Sequence, residues 1–105
     1  MLKSGKTVEF DVLVLAVGVR ANSALVRDMG GKVHSGILVN DRMETSEPGV
    51  YAAGDCTECD DISCGRKRVL ALFPNAYMQG YAAGVNMAGG HQVFDQAIPM
   101  NSIGF

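Results

Sequence analysis

No run in this sequence approaches the roughly 20 apolar residues that a membrane-spanning helix needs. The longest apolar-rich tract, residues 70–90, is interrupted by Asn75, Gln79 and Asn86. Residues 3–10 alternate polar and apolar side chains and build no apolar leader, so no secretory signal is expected. A charge excess of one sign is also lacking. Nine basic and eleven acidic residues leave a net charge of −2, and a nucleic-acid partner would call for a clustered basic face. The one basic cluster, Arg66-Lys67-Arg68, reads as a short solvated turn. Cysteine is scarce and odd in number, at three. A secreted disulfide framework is therefore not expected, and a reducing cytoplasm fits better. Finally, no G-x-G-x-x-G follows a strand-like run. "GVRANS" and "GGKVHSG" do not match it, so the pyrophosphate turn of a dinucleotide fold is missing.

What is present describes an ordered domain. A chain of 105 residues sets one domain as the expectation, with a modest core. A hydrophobic content of 48% argues against disorder. The thirteen glycines fall at the ends of apolar runs, which suggests tight turns or close approaches to another group.

The pattern along the chain is α/β. "KSGK" supplies a turn that opens a short hairpin, and "TVEF" alternates toward a strand. Residues 11–18, "DVLVLAVG", are continuously apolar, as in a parallel strand covered on both faces. Asn22 or Ser23 can cap a short helix ending near Met29, stopped by Gly30 and Gly31. Residues 36–40 read as a strand, Pro48-Gly49 as a turn, and residues 50–55, "VYAAGD", as a second strand. Residues 56–68 read as an irregular polar loop. A helix is expected from about Pro74, which suits a first turn, to Ala88, with Gly89 and Gly90 stopping it. Its Ala76, Gly80, Ala83, Gly84 and Ala88 form a narrow stripe that lets a backbone or ligand come close. Residues 97–105 are apolar and strand-like.

Two features in "GVYAAGDCTECDDISCG", residues 49–65, bear on chemistry. Asp55 sits at the carboxyl end of a strand, where open α/β sheets bind ligands. Its carboxylate can accept hydrogen bonds from ligand hydroxyls, or it can bond its own backbone as an ordinary turn residue. Cys56, Cys59 and Cys64 are spaced C-x2-C-x4-C. With His34 or His91 they could make a zinc set. Without a second C-x2-C they read instead as free thiols, Cys56 being a small packing group. A small metal-binding or interaction module built on this loop stands as the alternative to a cofactor site.

The order "FDVLVLAVGVRAN", "GILVNDRMETSEPGVYAAGDC" and "NAYMQGYAAGVNMAG" resembles the FAD/NAD(P)-dependent pyridine nucleotide-disulfide oxidoreductases. Within them it looks most like the NADH oxidase, coenzyme A disulfide reductase and ferredoxin/rubredoxin reductase branch. The similarity runs over nearly the whole chain. The combination T-S-x-P-G-V-Y-A-A-G-D, residues 45–55, is its most specific part.

The resemblance implies a partial Rossmann-like FAD/NAD(P)-binding domain with parallel strands, a short β-hairpin and one long helix. It implies that Gly54 and Asp55 lie beside FAD, with Asp55 on the ribityl chain. Ala16-Val17-Gly18 matches the A-x-G where the chain returns from the NAD domain to the FAD domain, with Val17 in place of the frequent Thr. Leu72, Phe73 and Pro74 match backbone presented to the pyrimidine edge of the flavin. Pro74 has no N–H, so a donor there falls to a neighbour such as Asn75 or Ala76. The positive end of the helix would stabilise the anionic reduced ring.

The same resemblance marks out what the chain does not hold. The family's FAD fingerprint, redox cysteines and NAD(P) fingerprint all precede the matched region. Residues 1–18 then correspond to a strand pair returning from the NAD domain, 19–90 to the second part of the FAD domain, and 91–105 to the lead-in of an interface domain. The expectation is a fragment with little activity of its own, weak or no FAD binding, and NAD(P)H as substrate of the intact enzyme. Its partners would be the remainder of that enzyme and, because edges are left open, other copies of itself by strand exchange.

Overall fold

The computed structural model describes residues 2–100. The proposed interface lead-in, 91–105, and the strand-like reading of 97–105 therefore lie partly outside the described residues. Five elements follow one another: helix α1 (Ala24–Asp28), strands β1 (Ile37–Leu38), β2 (Thr57–Asp61) and β3 (Arg66–Arg68), and helix α2 (Phe73–Met87). The sheet order is β1-β2-β3. β1 runs parallel to β2, with Ile37 opposite Thr57 and Leu38 opposite Glu58. β2 and β3 are antiparallel, with Cys59 opposite Arg68 and Asp61 opposite Arg66. The chain is thus mixed α/β, with the parallel pair joined by a crossover, residues 39–56, long enough for the purpose.

Several local signals act as read. Ser23 is the N-cap residue of α1, although its hydroxyl accepts from Arg27 Nη2 at 2.9 Å and caps no backbone N–H. Gly30, at φ 97°, ends the helix. The Pro48-Gly49 turn forms, with Gly49 N–H donating to Glu44 Oε1 at 2.9 Å. α2 starts one residue earlier than expected, with Pro74 in its first turn, and Gly89 follows its end at φ 85°.

Four expectations are corrected. Residues 11–18 form no strand, and their side chains face water: Val12 is 79% exposed, Val14 80% and Val17 89%. A strand apolar on both faces exists only where neighbours pair it and layers cover it, and among the described residues neither is present. At the N-terminus the turn of "KSGK" closes, through Leu2 N–H to Lys6 O at 2.9 Å, but "TVEF" finds no strand partner. Residues 50–55 carry a single antiparallel bridge, Tyr51 to Glu44, and no ladder. Residues 56–68 are not an irregular loop. They hold the β2–β3 hairpin, and "RKR" is a strand rather than a turn.

The face that α2 buries coincides only partly with its small-residue stripe. Gly80, Gly84 and Ala88 are exposed, and the buried positions are Asn75, Gln79, Ala82, Ala83 and Asn86. Asn75, Gln79, Ala82 and Asn86 share one side of a 3.6-residue helix. Three of those four are amides, and each ties a different segment. Asn75 Nδ2 donates to Ile98 O at 2.9 Å. Gln79 engages the stretch from Gly54 to Cys59. Asn86 Nδ2 donates to Arg42 O and Gln92 O at 2.9 and 2.8 Å.

The apolar core is small: Val26, Ile37, Val39, Met43, Cys59, Leu70, Ala82, Ala83 and Ala97. Nearly as many polar residues are buried, among them Thr57, Glu58, Asp61 and the three amides. Buried polar groups are tolerated only when bonded, and here they are what joins the loops to the helix.

Candidate functional site

The Gly54–Asp55 turn and the start of α2 meet. A Cβ placed on Gly54 would lie 3.6 Å from Ala76 Cβ, so Gly54 faces the Ala76 side chain across ordinary van der Waals distance. Gly54 has φ 84°, a left-handed conformation that costs an L-residue about 1–2 kcal/mol. The turn therefore needs its glycine for backbone reasons, not for space. Gly54 N–H donates inward to Gln79 Oε1 at 2.6 Å, so its role is conformational and its N–H faces the protein.

Asp55 is exposed, and among the described residues no hydrogen bond engages its carboxylate. The turn-residue alternative, in which Asp55 bonds its own backbone, is therefore not what is observed. Next to it, α2 begins without a side-chain cap. Ala76 N–H donates to Leu72 O at 3.0 Å, which removes Ala76 from the candidate donors. Pro74 has no N–H. The first turn is left with the N–H groups of Phe73 and Asn75, at the end of the helix that carries partial positive charge. The exposed Asp55 carboxylate thus lies near a helix start whose Phe73 and Asn75 N–H groups have no described backbone acceptor, Phe73 being exposed and Asn75 buried.

Gly18 is not brought to this edge. It has φ 80° with nothing near it, and the following Val19 and Arg20 line a separate hollow of about 540 Å3 with Arg27, His34 and Val69. A second hollow of about 520 Å3 lies between Tyr77, Tyr81 and Phe94. Neither hollow includes Gly54 or Asp55. Chemistry weighs more than concavity here: an open edge becomes a cleft only when something covers it.

The cysteines are dispersed. Cys59 is buried, Cys56 half-buried and Cys64 exposed at the hairpin turn. Among the described residues no three His, Cys, Asp or Glu side chains are grouped to hold a metal ion. Burial pushes the Cys59 thiol above its ordinary pKa, against the nearby Lys67 charge, so at neutral pH it is a protonated core group.

Two residues of the same stretch matter in ways the sequence reading missed. Glu58 is 4% exposed. Its Oε2 accepts from Ser35 N–H and Gly36 N–H at 3.0 and 3.1 Å, and its Oε1 lies 3.1 Å from His34 Nδ1. It locks the loop before β1, where a Cβ on Gly36 would come within 2.9 Å of Cys56 O. Asp61, fully buried, accepts from the Ser63 hydroxyl at 2.6 Å, Ser63 N–H at 2.8 Å and Arg68 Nη1 at 3.2 Å. The Ser63 hydroxyl is the main reason its carboxyl is held below the usual carboxylate range, against the opposing effect of burial. Both acids sit on a strand that the polar sequence disguised as a loop.

Comparison with known proteins places this edge in context. Residues 1–80 match the pyridine nucleotide-disulphide oxidoreductase family. The chain belongs to that family. It is 41% identical over 86 residues to an NADH oxidase of Methanocaldococcus jannaschii, a match that covers 81% of this chain and 19% of the relative. Among solved structures it resembles an NAD-dependent persulfide reductase from A. fulgidus, at 36% identity and a TM-score of 0.77, over 87% of this chain and 17% of that one. It also resembles a FAD-dependent pyridine nucleotide-disulphide oxidoreductase from Desulfovibrio vulgaris, at 36% identity and a TM-score of 0.75, over 83% of this chain and 22% of that one. The chain therefore spans about a fifth of the length of these relatives. No described helix is long and apolar enough to cross a membrane.

Proposed function

We propose that this chain supplies one edge of a flavin site in an NAD(P)H-dependent oxidoreductase. The observation that carries the reading is the exposed, unengaged Asp55 carboxylate beside the uncapped start of α2. Asp55 would hold hydroxyls of the FAD ribityl chain. Gly54 would give the turn its shape, and Leu72, Phe73 and Pro74 would present backbone to the ring, with the Phe73 and Asn75 N–H groups as donors. Bound FAD would supply the redox chemistry, accepting hydride from NAD(P)H and passing electrons to an acceptor.

On this reading residues 1–18 return from an NAD domain, 19–90 form the second part of a FAD domain, and 91–105 lead into an interface domain. The exposed apolar residues 11–18 would be covered by the remainder of the enzyme or, in its absence, by another copy of this chain. The chain alone would show little or no NAD(P)H oxidation.

The test is a flavin-fluorescence titration of the chain with FAD, wild type against Asp55→Ala. Of the two expectations for a fragment, weak or no FAD binding, weak binding is the one expected here, falling about tenfold or more in the variant, as for loss of a hydrogen bond to a charged group. Equal affinity in the two proteins, no binding at all, or NADH turnover by the chain unaided would contradict the proposal.

A further inference from the structure

We propose that Gln79 is the positioning residue of the Gly54–Asp55 turn, a role that takes its purpose from the flavin reading but can be tested without it. Gln79 is 1% exposed, and both its amide oxygen and its amide nitrogen are engaged. Oε1 accepts from Gly54 N–H at 2.6 Å and lies 2.9 Å from the Thr57 hydroxyl. Nε2 donates to Cys59 Sγ at 3.1 Å. The orientation of the amide is not arbitrary. A backbone N–H can only donate, so the atom facing Gly54 must be the oxygen. The nitrogen is then left to Cys59, whose raised pKa keeps the sulfur a neutral acceptor.

One side chain, from the second turn of α2, thus grips both ends of the stretch that presents Asp55. The Thr57 hydroxyl, 2.8 Å from Gly54 O, closes the turn from within. Among the described residues no hydrogen bond engages Asp55, so its place relative to the start of α2 is set through Gly54. Because Gln79 and the open donors of Phe73 and Asn75 belong to the same helix, Gln79 fixes the spacing between carboxylate and donors. Asn86, two turns on, does the same kind of work for Arg42 and Gln92 and touches nothing at this edge, which makes it an internal control.

The experiment compares wild type, Gln79→Met and Gln79→Glu by residue-resolved amide hydrogen exchange. Methionine keeps the length without bonding; glutamate keeps the acceptor oxygen. In Gln79→Met the Gly54 amide should exchange about tenfold faster or more, while the Gln92 amide, which donates to Asn86 Oδ1, keeps its rate. Gln79→Glu should restore most of the Gly54 protection. Equal acceleration at Gly54 and Gln92 would reduce Gln79 to a general stabiliser, and an unchanged Gly54 rate would overturn the tie itself. Should Gln79→Met fail to fold, the wild type decides. A trans-hydrogen-bond coupling between the Gly54 nitrogen and the Gln79 side-chain carbonyl carbon is expected, and its absence overturns the proposal.

The flavin titration then separates the two ideas. If Asp55→Ala weakens FAD binding and Gln79→Met does not, the site reading stands and positioning by Gln79 fails. If FAD does not bind the wild type, the site reading fails, and the Gly54–Gln79 tie is judged by exchange alone.

Discussion

Residues 11–18 are richer in apolar side chains than residues 24–98, with six of eight against fewer than half, yet the richer part is a bare ribbon and the other a folded body. Val14 stands 80% exposed, while Val39, in the segment after β1, is 4% exposed. The difference is not composition but partners. The body closes because buried amides and carboxylates tie loops to α2 and β2. The ribbon has no described backbone or side chain to tie to. A hydrophobic run thus states what a segment requires, and the rest of the chain decides whether the requirement is met.

The largest test of that contrast is a matched truncation. Met43 is fully buried despite φ 63°, held by Asn40 O and by Ala52 N–H donating to its carbonyl. Met43→Ala should lower unfolding stability by about 2–5 kcal/mol. Val14→Ala should stay within about 0.5 kcal/mol. Urea midpoints would show both, and similar losses at the two sites would mean that the ribbon is packed after all.

A smaller effect separates strand β2 from the loop it was taken for. The Asp61 carboxyl is held below its ordinary value of 3.8 chiefly by the Ser63 hydroxyl. A depressed folded pKa favours the charged form, so its contribution to stability is complete above the unfolded value and is lost as pH falls through the lower, folded one. Urea midpoints at about pH 6 and about pH 3 should therefore differ less in Ser63→Ala than in wild type. An identical pH dependence in both would remove Ser63 as the cause.

How much of this was legible in sequence follows the same contrast. Signals that act within a few residues were readable: the α1 stop at Gly30, the Pro48-Gly49 turn and, to within one residue, the start of α2. The α/β class and the family resemblance were also legible, because "TSEPGVYAAGD" is specific in composition and order. Pairing was not. "DVLVLAVG" carries a buried-strand pattern that its surroundings here do not satisfy. "TECDD" carries a polar pattern, yet pairs on both sides because Glu58 and Asp61 find donors at Ser35, Gly36, Ser63 and Arg68. The face that α2 buries was not legible for a related reason. Small residues mark where something can approach, but Gln79 and Asn86 mark where something is held, and amides give no hydropathy signal.

On the proposed function, Asp55 and the start of α2 form one flavin-facing edge. A residue-resolved amide shift map of the chain titrated with FAD tests it most directly. Shifts are expected at Gly54, Asp55, Phe73 and Asn75, with the hairpin turn around Cys64 unmoved. Shifts confined to that turn or to residues 11–18, or none anywhere, would contradict it.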